Sequence, residues 1–224
     1  MKSSLISSKL SAQLEQDQVL DQKVQARECT TSNSAAHQDQ RIKAGQKLTA
    51  DDLERKTVAL LEEYFNVRDL REATQCLQDL GSPGYHAQFL SKAISMALEQ
   101  KEIHVKLVGD LIDHLFSHQT VSNSDIRNAF LQIAEQYDDF AIDVPLAPKY
   151  IGGLFGKSAL NGAVDLKLLY DVLTKIQQED IEGRKKMFAT ALNTIESDPK
   201  GKQLLSDQKA ELSQCEKLVE EDDE

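Results

Sequence analysis

Two histidines stand four residues apart in the segment HLFSH, a spacing that places His114 and His118 on one face of a helix. Zinc hydrolases use the same spacing in HExxH, where the glutamate after the first histidine is the general base. Here no glutamate follows His114, and no third ligand is evident nearby. The histidine pair therefore predicts no metal site.

The segment GGLFGKS at residues 152–158 is superficially like a phosphate-binding loop. That motif requires a glycine five positions before Gly156, and the sequence has Ile151 there. No strand precedes the segment, so its backbone amides would not form the phosphate cradle. We expect these glycines to allow close packing between helices instead.

No nucleophile or acid–base pair is distinctive in this sequence. Cys76 lies on an apolar stripe beside Leu77 and is typical of a small core residue. The three cysteines are far apart and lack CxxC spacing, which favours reduced thiols in a cytosolic or nuclear protein. Carboxylates are too common on solvated helix faces to mark a general acid and base. We expect no enzymatic activity and no cofactor.

Basic residues cluster only in GRKKMF, which contains Arg184, Lys185 and Lys186. The cluster is consistent with an RNA contact or with a simple balance of nearby acids. The formal net charge of −11 argues against a broad nucleic-acid surface, which needs grouped Lys and Arg side chains. RNA binding is therefore expected to be weak or indirect.

Acidic residues crowd the segment EQYDDFAIDVPLAP, and we call Asp138, Asp139, Asp143 and Pro145 the acidic corner. Asp139 and Asp143 would share one helical face, where like charges repel. The simplest interpretation is an exposed helix end with ordinary solvation. The alternative is that both carboxylates are held ready for Arg or Lys side chains of a partner protein.

Helical periodicity runs through the sequence from about residue 49 and positions these residues. No alternating strand pattern competes with it, and aromatic residues make up only 5% of the chain. Thr49 is a plausible first N-cap, and Ser122 or Ser124 a later one. Six helices with short connectors predict a stack of helix pairs, an all-α fold. The expected core positions include Leu53, Val58, Leu61, Phe65, Leu70, Ala73, Leu77, Phe89, Ala93, Leu107, Leu111, Leu115, Ile126, Phe130 and Ile133.

Three regions are expected along the 224 residues. Residues 1–48 are polar and predict a flexible leader. Residues 49–162 carry the six helices. Residues 163–224 predict at least two more packed helices and a frayed acidic end. No segment has the length of a signal peptide core or of a membrane span, so we expect a soluble cytoplasmic protein without membrane contact.

Two long segments carry a family resemblance. The first is LLEEYFNVRDLREATQCLQDLGSPGYHAQFLSKAISMALEQK, and the second is DDFAIDVPLAPKYIGGLF. Together they resemble the MI domain, also written MA-three, of eukaryotic translation initiation factor 4 gamma and programmed cell death protein 4. The resemblance covers about residues 53–162 and is greatest to the C-terminal part of initiation factor 4 gamma. A weaker likeness to the region after the MI domain in plant-type initiation factor 4 gamma covers residues 165–210.

The resemblance implies a fold, a partner and a site. The family fold is a HEAT-like stack of antiparallel helix pairs, and the implied partner is initiation factor 4A, a DEAD-box RNA helicase. In programmed cell death protein 4, an acidic residue and an aspartate four positions later, just before a proline, contact that helicase. Asp139, Asp143 and Pro145 match these positions. Asp139 stands where that protein has glutamate, so its reach is shorter by one methylene.

The resemblance leaves two functions within one class open. The first is an adaptor of translation initiation that docks the helicase and other initiation-complex proteins. The alternative is a stand-alone inhibitor that uses the same surface. The single MI domain favours the adaptor, either as part of a longer scaffold or as a short protein. RNA binding through the basic cluster is a third hypothesis, from a different class.

Overall fold

The computed structural model describes residues 48–177 and 180–220, apart from the side chain of Phe140. These residues form α-helices and one short 3-10 turn at Pro83–Tyr85, and they contain no strand. The predicted all-α class with paired helices is therefore confirmed. The helices in chain order are α1 (Ala50–Val67), α2 (Leu70–Asp79), α3 (His86–Leu98), α4 (Glu102–Ser117), α5 (Asn123–Glu135), α6 (Tyr137–Asp143), α7 (Ala147–Leu160), α8 (Leu166–Leu173), α9 (Ile181–Glu196), α10 (Gly201–Asp207) and α11 (Lys209–Glu220).

Helix starts follow the capping residues of the sequence. Thr49 is the N-cap of α1, and its hydroxyl oxygen accepts from the Asp52 amide at 3.2 Å. Ser122, not Ser124, is the N-cap of α5. The Ser122 hydroxyl oxygen accepts from the Asp125 amide at 3.2 Å, while the Asp125 carboxylate accepts from the Ser122 amide at 2.9 Å. Such reciprocal bonds satisfy donors that the first turn of a helix leaves open.

Successive helices pack on one another and enclose a continuous apolar core. Helix α3 packs on α4 and α5, α4 packs on α7, α5 contacts α8, and α8 packs on α11. Most expected core positions are buried, among them Leu61, Phe89 and Leu111, each 0% exposed. Two positions differ: Leu70 is only half-buried, and so is Val58, whereas its neighbour Thr57 is fully buried. Leu60 and Tyr64 on the same helix face explain this shift of the stripe.

The region expected to hold six helices contains seven. The predicted helix DIRNAFLQIAEQY ends at Glu135, and a separate short helix, α6, begins at Tyr137. Gln136 lies between them with φ −102° and ψ 5°, outside the helical range. The turn directs the Tyr137 ring into the core, where it is 1% exposed.

The C-terminal helices belong to the same compact unit as α1–α7. Helix α9 lies directly against α7, where a Cβ on Gly156 would come within 2.7 Å of the Ala191 carbonyl oxygen. A Cβ on Gly152 would collide with the Met187 carbonyl oxygen. Gly152 and Gly156 of GGLFGKS thus allow close helix packing, as predicted, whereas Gly153 is not needed for it. The predicted domain border near residue 162 stays a prediction.

The predicted polar leader at residues 1–48 lies outside the described residues except for Leu48, and so do residues 221–224 of the predicted frayed acidic end. Among the helices that the structure describes, none combines the length and the apolar character needed to span a bilayer.

Candidate functional site: an exposed acidic corner

The acidic corner forms where α6 ends and α7 begins. Proline disfavours helical conformation in the residue before it, so Pro145 ends α6 at Asp143 and leaves Val144 in the turn. The Ala147 amide donates to the Val144 carbonyl oxygen at 2.9 Å and closes this turn. Pro148 is tolerated in the first turn of α7, where its missing N–H is not needed. The corner is therefore a short, proline-bounded bend.

Asp139 and Asp143 are both exposed on α6. Being four residues apart, they lie one above the other on the same helix face. Within residues 48–177 and 180–220, neither carboxylate forms an ion pair with a lysine, arginine or histidine. Asp143 also sits at the negative end of the helix dipole, which disfavours a carboxylate. Local stability does not explain this pair of charges.

Asp138 behaves differently from the other two aspartates of the acidic corner. Its side chain is half-buried, and its carboxylate accepts a hydrogen bond from the Gln177 side-chain amide at 2.6 Å. Gln177 lies in the connection between α8 and α9. Asp138 thus contacts the C-terminal part of its own chain.

Two apolar side chains next to the carboxylates were missed by the sequence reasoning. Ile142 is 81% exposed and Leu146 is 43% exposed. Among the described residues, only Val67 and Ile103 are other large apolar side chains with comparable exposure. The signal is present in the spacing, since Ile142 stands three residues after Asp139 and so shares its helix face. The exposed face of α6 is therefore acidic and apolar at once.

Tyr137 fixes the first residue of α6 in the core. Its hydroxyl donates to the Asp180 carboxylate at 2.7 Å, and its ring is 1% exposed. Burial, followed by the hydrogen bond to Asp180, raises the pKa of the Tyr137 phenol. The phenol therefore stays protonated and remains a donor to the carboxylate at any physiological pH.

A narrow groove of about 140 Å³ runs beside the acidic corner, between α6, the start of α7 and the start of α9. Ala141, Pro145 and Pro148 line one side, and Glu182 and Lys186 line the other. The exposed surface of the acidic corner therefore continues onto α9.

The predicted RNA contact is wrong for Arg184. Its side chain is only 3% exposed, and a guanidinium nitrogen donates to the Ile176 carbonyl oxygen at 2.7 Å. A buried guanidinium cannot reach a phosphate on the surface. Lys185 and Lys186 are half-buried, and their contact with RNA stays a prediction.

The histidine and cysteine candidates show no catalytic arrangement. The rings of His114 and His118 stack with centroids 4.0 Å apart, and a His118 nitrogen lies 2.8 Å from the His114 carbonyl oxygen. In residues 48–177 and 180–220, no three His, Cys, Asp or Glu side chains converge as a metal site requires. Burial raises the pKa of the half-buried Cys76 thiol, and the nearby Glu72 carboxylate adds to this effect, which makes the thiol a poor nucleophile.

Comparison with known proteins assigns the helices around the corner to a family. A model of the MA3 domain matches residues 53–165, half of the chain. The chain belongs to the MA3 domain family. This confirms the resemblance seen in the sequence, since MI and MA-three are names of the same domain. The acidic corner of this MA3 protein lies inside the matched residues, whereas helices α8–α11 follow them.

The MA3 relatives include translation factors of animals and plants. Eukaryotic translation initiation factor 4 gamma 1 of Oryctolagus cuniculus is 30% identical over 128 residues, which cover 57% of this chain and 9% of that protein. MA3 domain-containing translation regulatory factor 2 of Arabidopsis thaliana is 31% identical over 117 residues, 52% of this chain and 17% of its own.

A third relative extends the similarity to more of the chain. MA3 domain-containing translation regulatory factor 3 of Arabidopsis thaliana is 26% identical over 166 residues, 72% of this chain and 24% of its own. Each of the three alignments thus spans less than a quarter of the relative's length. What these relatives share with this chain is therefore only a part of each relative's length.

Proposed function

We propose that this MA3 protein is a non-enzymatic interaction module of translation initiation that binds the DEAD-box helicase initiation factor 4A through the acidic corner. The observation that carries the proposal is the exposure of Asp139 and Asp143, one helical turn apart, without an ion pair among the described residues. The family membership and the translation factors among the relatives support a partner protein in translation initiation, and the helicase is the partner that the family resemblance implies.

The chemistry of the site fits a basic protein surface. Two carboxylates on one face attract Arg or Lys side chains, and a carboxylate accepts the two parallel hydrogen bonds of a guanidinium. Ile142, 81% exposed beside them, adds apolar area that is removed from water when a partner covers it. The ring of Pro145 restricts the backbone of the bend before the partner binds. Little backbone conformational entropy is therefore lost on binding. The role is binding and positioning, and no bond-making step is assigned to the chain.

RNA is a weaker candidate for the partner. The buried Arg184 removes one of three charges from the predicted basic cluster. Phosphate binding depends on several exposed cations acting together. We therefore expect any contact with RNA to be indirect, through the bound helicase.

A charge reversal tests the proposal. Asp139→Lys combined with Asp143→Lys should weaken binding to purified initiation factor 4A by about 30-fold or more, because each carboxylate is replaced by a charge that repels the partner's cations. Titration calorimetry measures the affinity, and circular dichroism verifies that the helices are retained. Binding of the unaltered chain should also weaken as salt is raised.

Glu216→Lys combined with Glu220→Lys is the matched control. These two glutamates are exposed, four residues apart on α11, and the double change alters the net charge by the same amount. The control should bind the helicase nearly as the unaltered chain does. Equal loss in both double variants would mean that only net charge matters, and an unaltered affinity in the first would remove the acidic corner as the docking site.

A further inference from the structure

Helix α6 is fixed from outside the part of the chain that matches the MA3 model. The match ends at residue 165, while Asp180 stands at the start of α9. The Tyr137 hydroxyl reaches Asp180 across 43 residues of sequence at 2.7 Å. Tyr137 opens α6, and Asp139 follows two residues later. A short path of covalent and hydrogen bonds thus joins the C-terminal helices to the docking carboxylates.

Asp180 is itself held in place. It is the N-cap of α9, and its other carboxylate oxygen accepts from the Gly183 amide at 2.9 Å. One carboxylate therefore caps α9 and receives the Tyr137 hydroxyl at the same time. Gly183 completes the arrangement, because a Cβ at this position would collide with both the Asp180 carboxylate and the Tyr137 hydroxyl.

A second connection lies next to the first. The Gln177 amide donates to the Asp138 carboxylate at 2.6 Å, one residue further along α6. The backbone before it is held by Arg184, whose buried guanidinium donates to the Ile176 carbonyl oxygen. The basic residue that was predicted to contact RNA thus holds the backbone at Ile176, one residue before Gln177.

A helix as short as α6 does not keep its orientation alone. It has seven residues, and isolated helices below ~12 residues are marginal in water. Its outward face carries Asp139, Ile142 and Asp143, which contribute little to packing. The anchors at its first two residues, together with the Pro145 bend at its other end, therefore set where the docking side chains point.

We propose that Tyr137 and Asp180 are positioning residues for the docking site, and that the helices after the MA3 match orient the acidic corner for its partner. This rests on the proposed helicase binding. Without the Tyr137–Asp180 bond, α6 samples orientations in which Asp139 and Asp143 are not presented together. Partner binding must then restore the orientation, and affinity falls by the fraction of molecules that are competent.

The test compares two tyrosines in full-length chains. Tyr137→Phe removes the hydroxyl that reaches Asp180. Tyr64→Phe is the matched control, because Tyr64 is 3% exposed and its hydroxyl donates to the Leu107 carbonyl oxygen at 2.8 Å, also across 43 residues of sequence. Both variants lose one buried long-range hydrogen bond and keep the ring. We expect comparable small losses of stability in both.

Only Tyr137→Phe should change the docking site. We expect its affinity for initiation factor 4A to fall about fivefold relative to Tyr64→Phe, as a competent fraction of about one in five would produce. Amide hydrogen exchange in α6 should rise in Tyr137→Phe while exchange in α3 and α5 stays unchanged. Gln177→Ala, at an exposed position, should also raise amide hydrogen exchange in α6. It replaces Tyr137→Phe in the test if that variant folds poorly.

The outcomes separate this inference from the proposed function. Equal affinity in the two tyrosine variants, or unchanged exchange in α6, overturns the positioning role even if charge reversal at Asp139 and Asp143 abolishes binding. If the charge reversal leaves binding intact, the proposed docking site fails. Increased exchange in α6 would then show that the Tyr137–Asp180 hydrogen bond holds α6 in place. It would overturn the role of that bond in docking.

Discussion

At the scale of single residues, Ile142 is the most exposed large apolar side chain among the described residues. Burying an isoleucine side chain stabilises a fold by about 1.5–3 kcal/mol, and an isoleucine that is 81% exposed contributes almost none of this. Its neighbours on the same face, Asp139 and Asp143, repel each other. Covering Ile142 with an apolar surface is favourable, and covering the two carboxylates is favourable when cations of a partner lie beside them. Both are expected properties of a binding site.

Ile142→Ser should weaken helicase binding without affecting stability. The loss of apolar contact area should reduce affinity about fivefold to tenfold, since roughly 1 kcal/mol or more is at stake for a side chain that the partner covers. The melting temperature should change by no more than about 2 °C, as is usual for exposed positions. Calorimetric titration and thermal unfolding measure the two quantities.

Ile103→Ser serves as the control for this change. Ile103 is 42% exposed on α4, outside the acidic corner. Its substitution should leave both binding and melting temperature nearly unchanged. A loss of affinity shared by the two variants would indicate a contact that is not centred on α6.

Residue types and spacing predicted only part of the site. The shared face of Asp139 and Asp143 follows from helical geometry and was predicted. Ile142 was missed because an apolar residue in a helix is normally assigned to the core. Arg184 was misassigned because its partner, the Ile176 carbonyl oxygen, becomes available only through the fold of the α8–α9 connection. Ile176 is only eight residues before Arg184, but a free backbone carbonyl oxygen leaves no mark in the residue types.

At the scale of elements, the contact between α7 and α9 is the closest helix packing in the site region. Gly152 and Gly156 lie four residues apart on one face of α7, and backbone carbonyl groups of Met187 and Ala191 occupy the space where their side chains would be. A backbone carbonyl cannot rotate away as a side chain can. The position of α9, and with it that of Asp180, therefore depends on these two glycines.

Gly152→Ala should destabilise the chain, whereas Gly153→Ala should not. The first places a methyl group against the Met187 carbonyl, and such overpacking costs about 1–3 kcal/mol of unfolding free energy. The Cβ of the second would meet only the Thr190 methyl group at 3.9 Å, an ordinary contact. That change should stabilise by about 0.5–1 kcal/mol, because alanine has the higher helix propensity. Urea denaturation of both variants measures the difference, and a neutral Gly152→Ala would contradict the packing described.

Element borders could be predicted where a side chain marks them. Thr49 and Ser122 marked the starts of α1 and α5 because their hydroxyls satisfy open amides. The break at Gln136 was not predicted, since glutamine is a good helix former and gives no stop signal. It is the burial of Tyr137 against α9 that turns the chain there, and this is a tertiary cause.

At the scale of the whole molecule, several protonated groups are buried in different parts of the core. Burial raises the pKa of the Cys215 thiol to about 12, and the nearby Glu216 carboxylate adds to this effect. Burial, assisted by Asp110, also raises the pKa of the Tyr64 phenol to about 12. The folded chain therefore holds protons at alkaline pH that the unfolded chain releases.

Stability should accordingly fall as pH rises above about 9. Between the ordinary thiol pKa of 9.0 and the folded value of about 12, the folded chain binds more protons than the unfolded chain, so the free energy of unfolding decreases with pH. One proton that is bound in the folded chain but not in the unfolded chain lowers the free energy of unfolding by about 1.4 kcal/mol per pH unit. Urea denaturation from pH 7 to 11 measures the slope, which should be shallower in Cys215→Ala between pH 9 and 10. An unchanged slope in that variant would contradict the assignment.

The architecture as a whole was largely predictable, but the joining of its parts was not. Low aromatic content, helical periodicity and short connectors predicted the all-α stack, because each of these properties acts locally. The packing of α9 against α7 depends on residues more than 30 positions apart in the sequence, such as Gly156 and Ala191. The sequence pattern therefore could not show that α8–α11 pack in the same compact unit as α1–α7, and the region boundary near residue 162 stays a prediction.

The close packing of α9 on α7 determines where the chain can be truncated for expression. A recombinant piece that stops where the MA3 match stops, at residue 165, would uncover the face of α7 that carries Gly152 and Gly156. We expect such a fragment to be prone to aggregation and proteolysis. Its failure to bind a helicase would therefore be uninformative. Expression boundaries belong after α11, at or beyond Glu220.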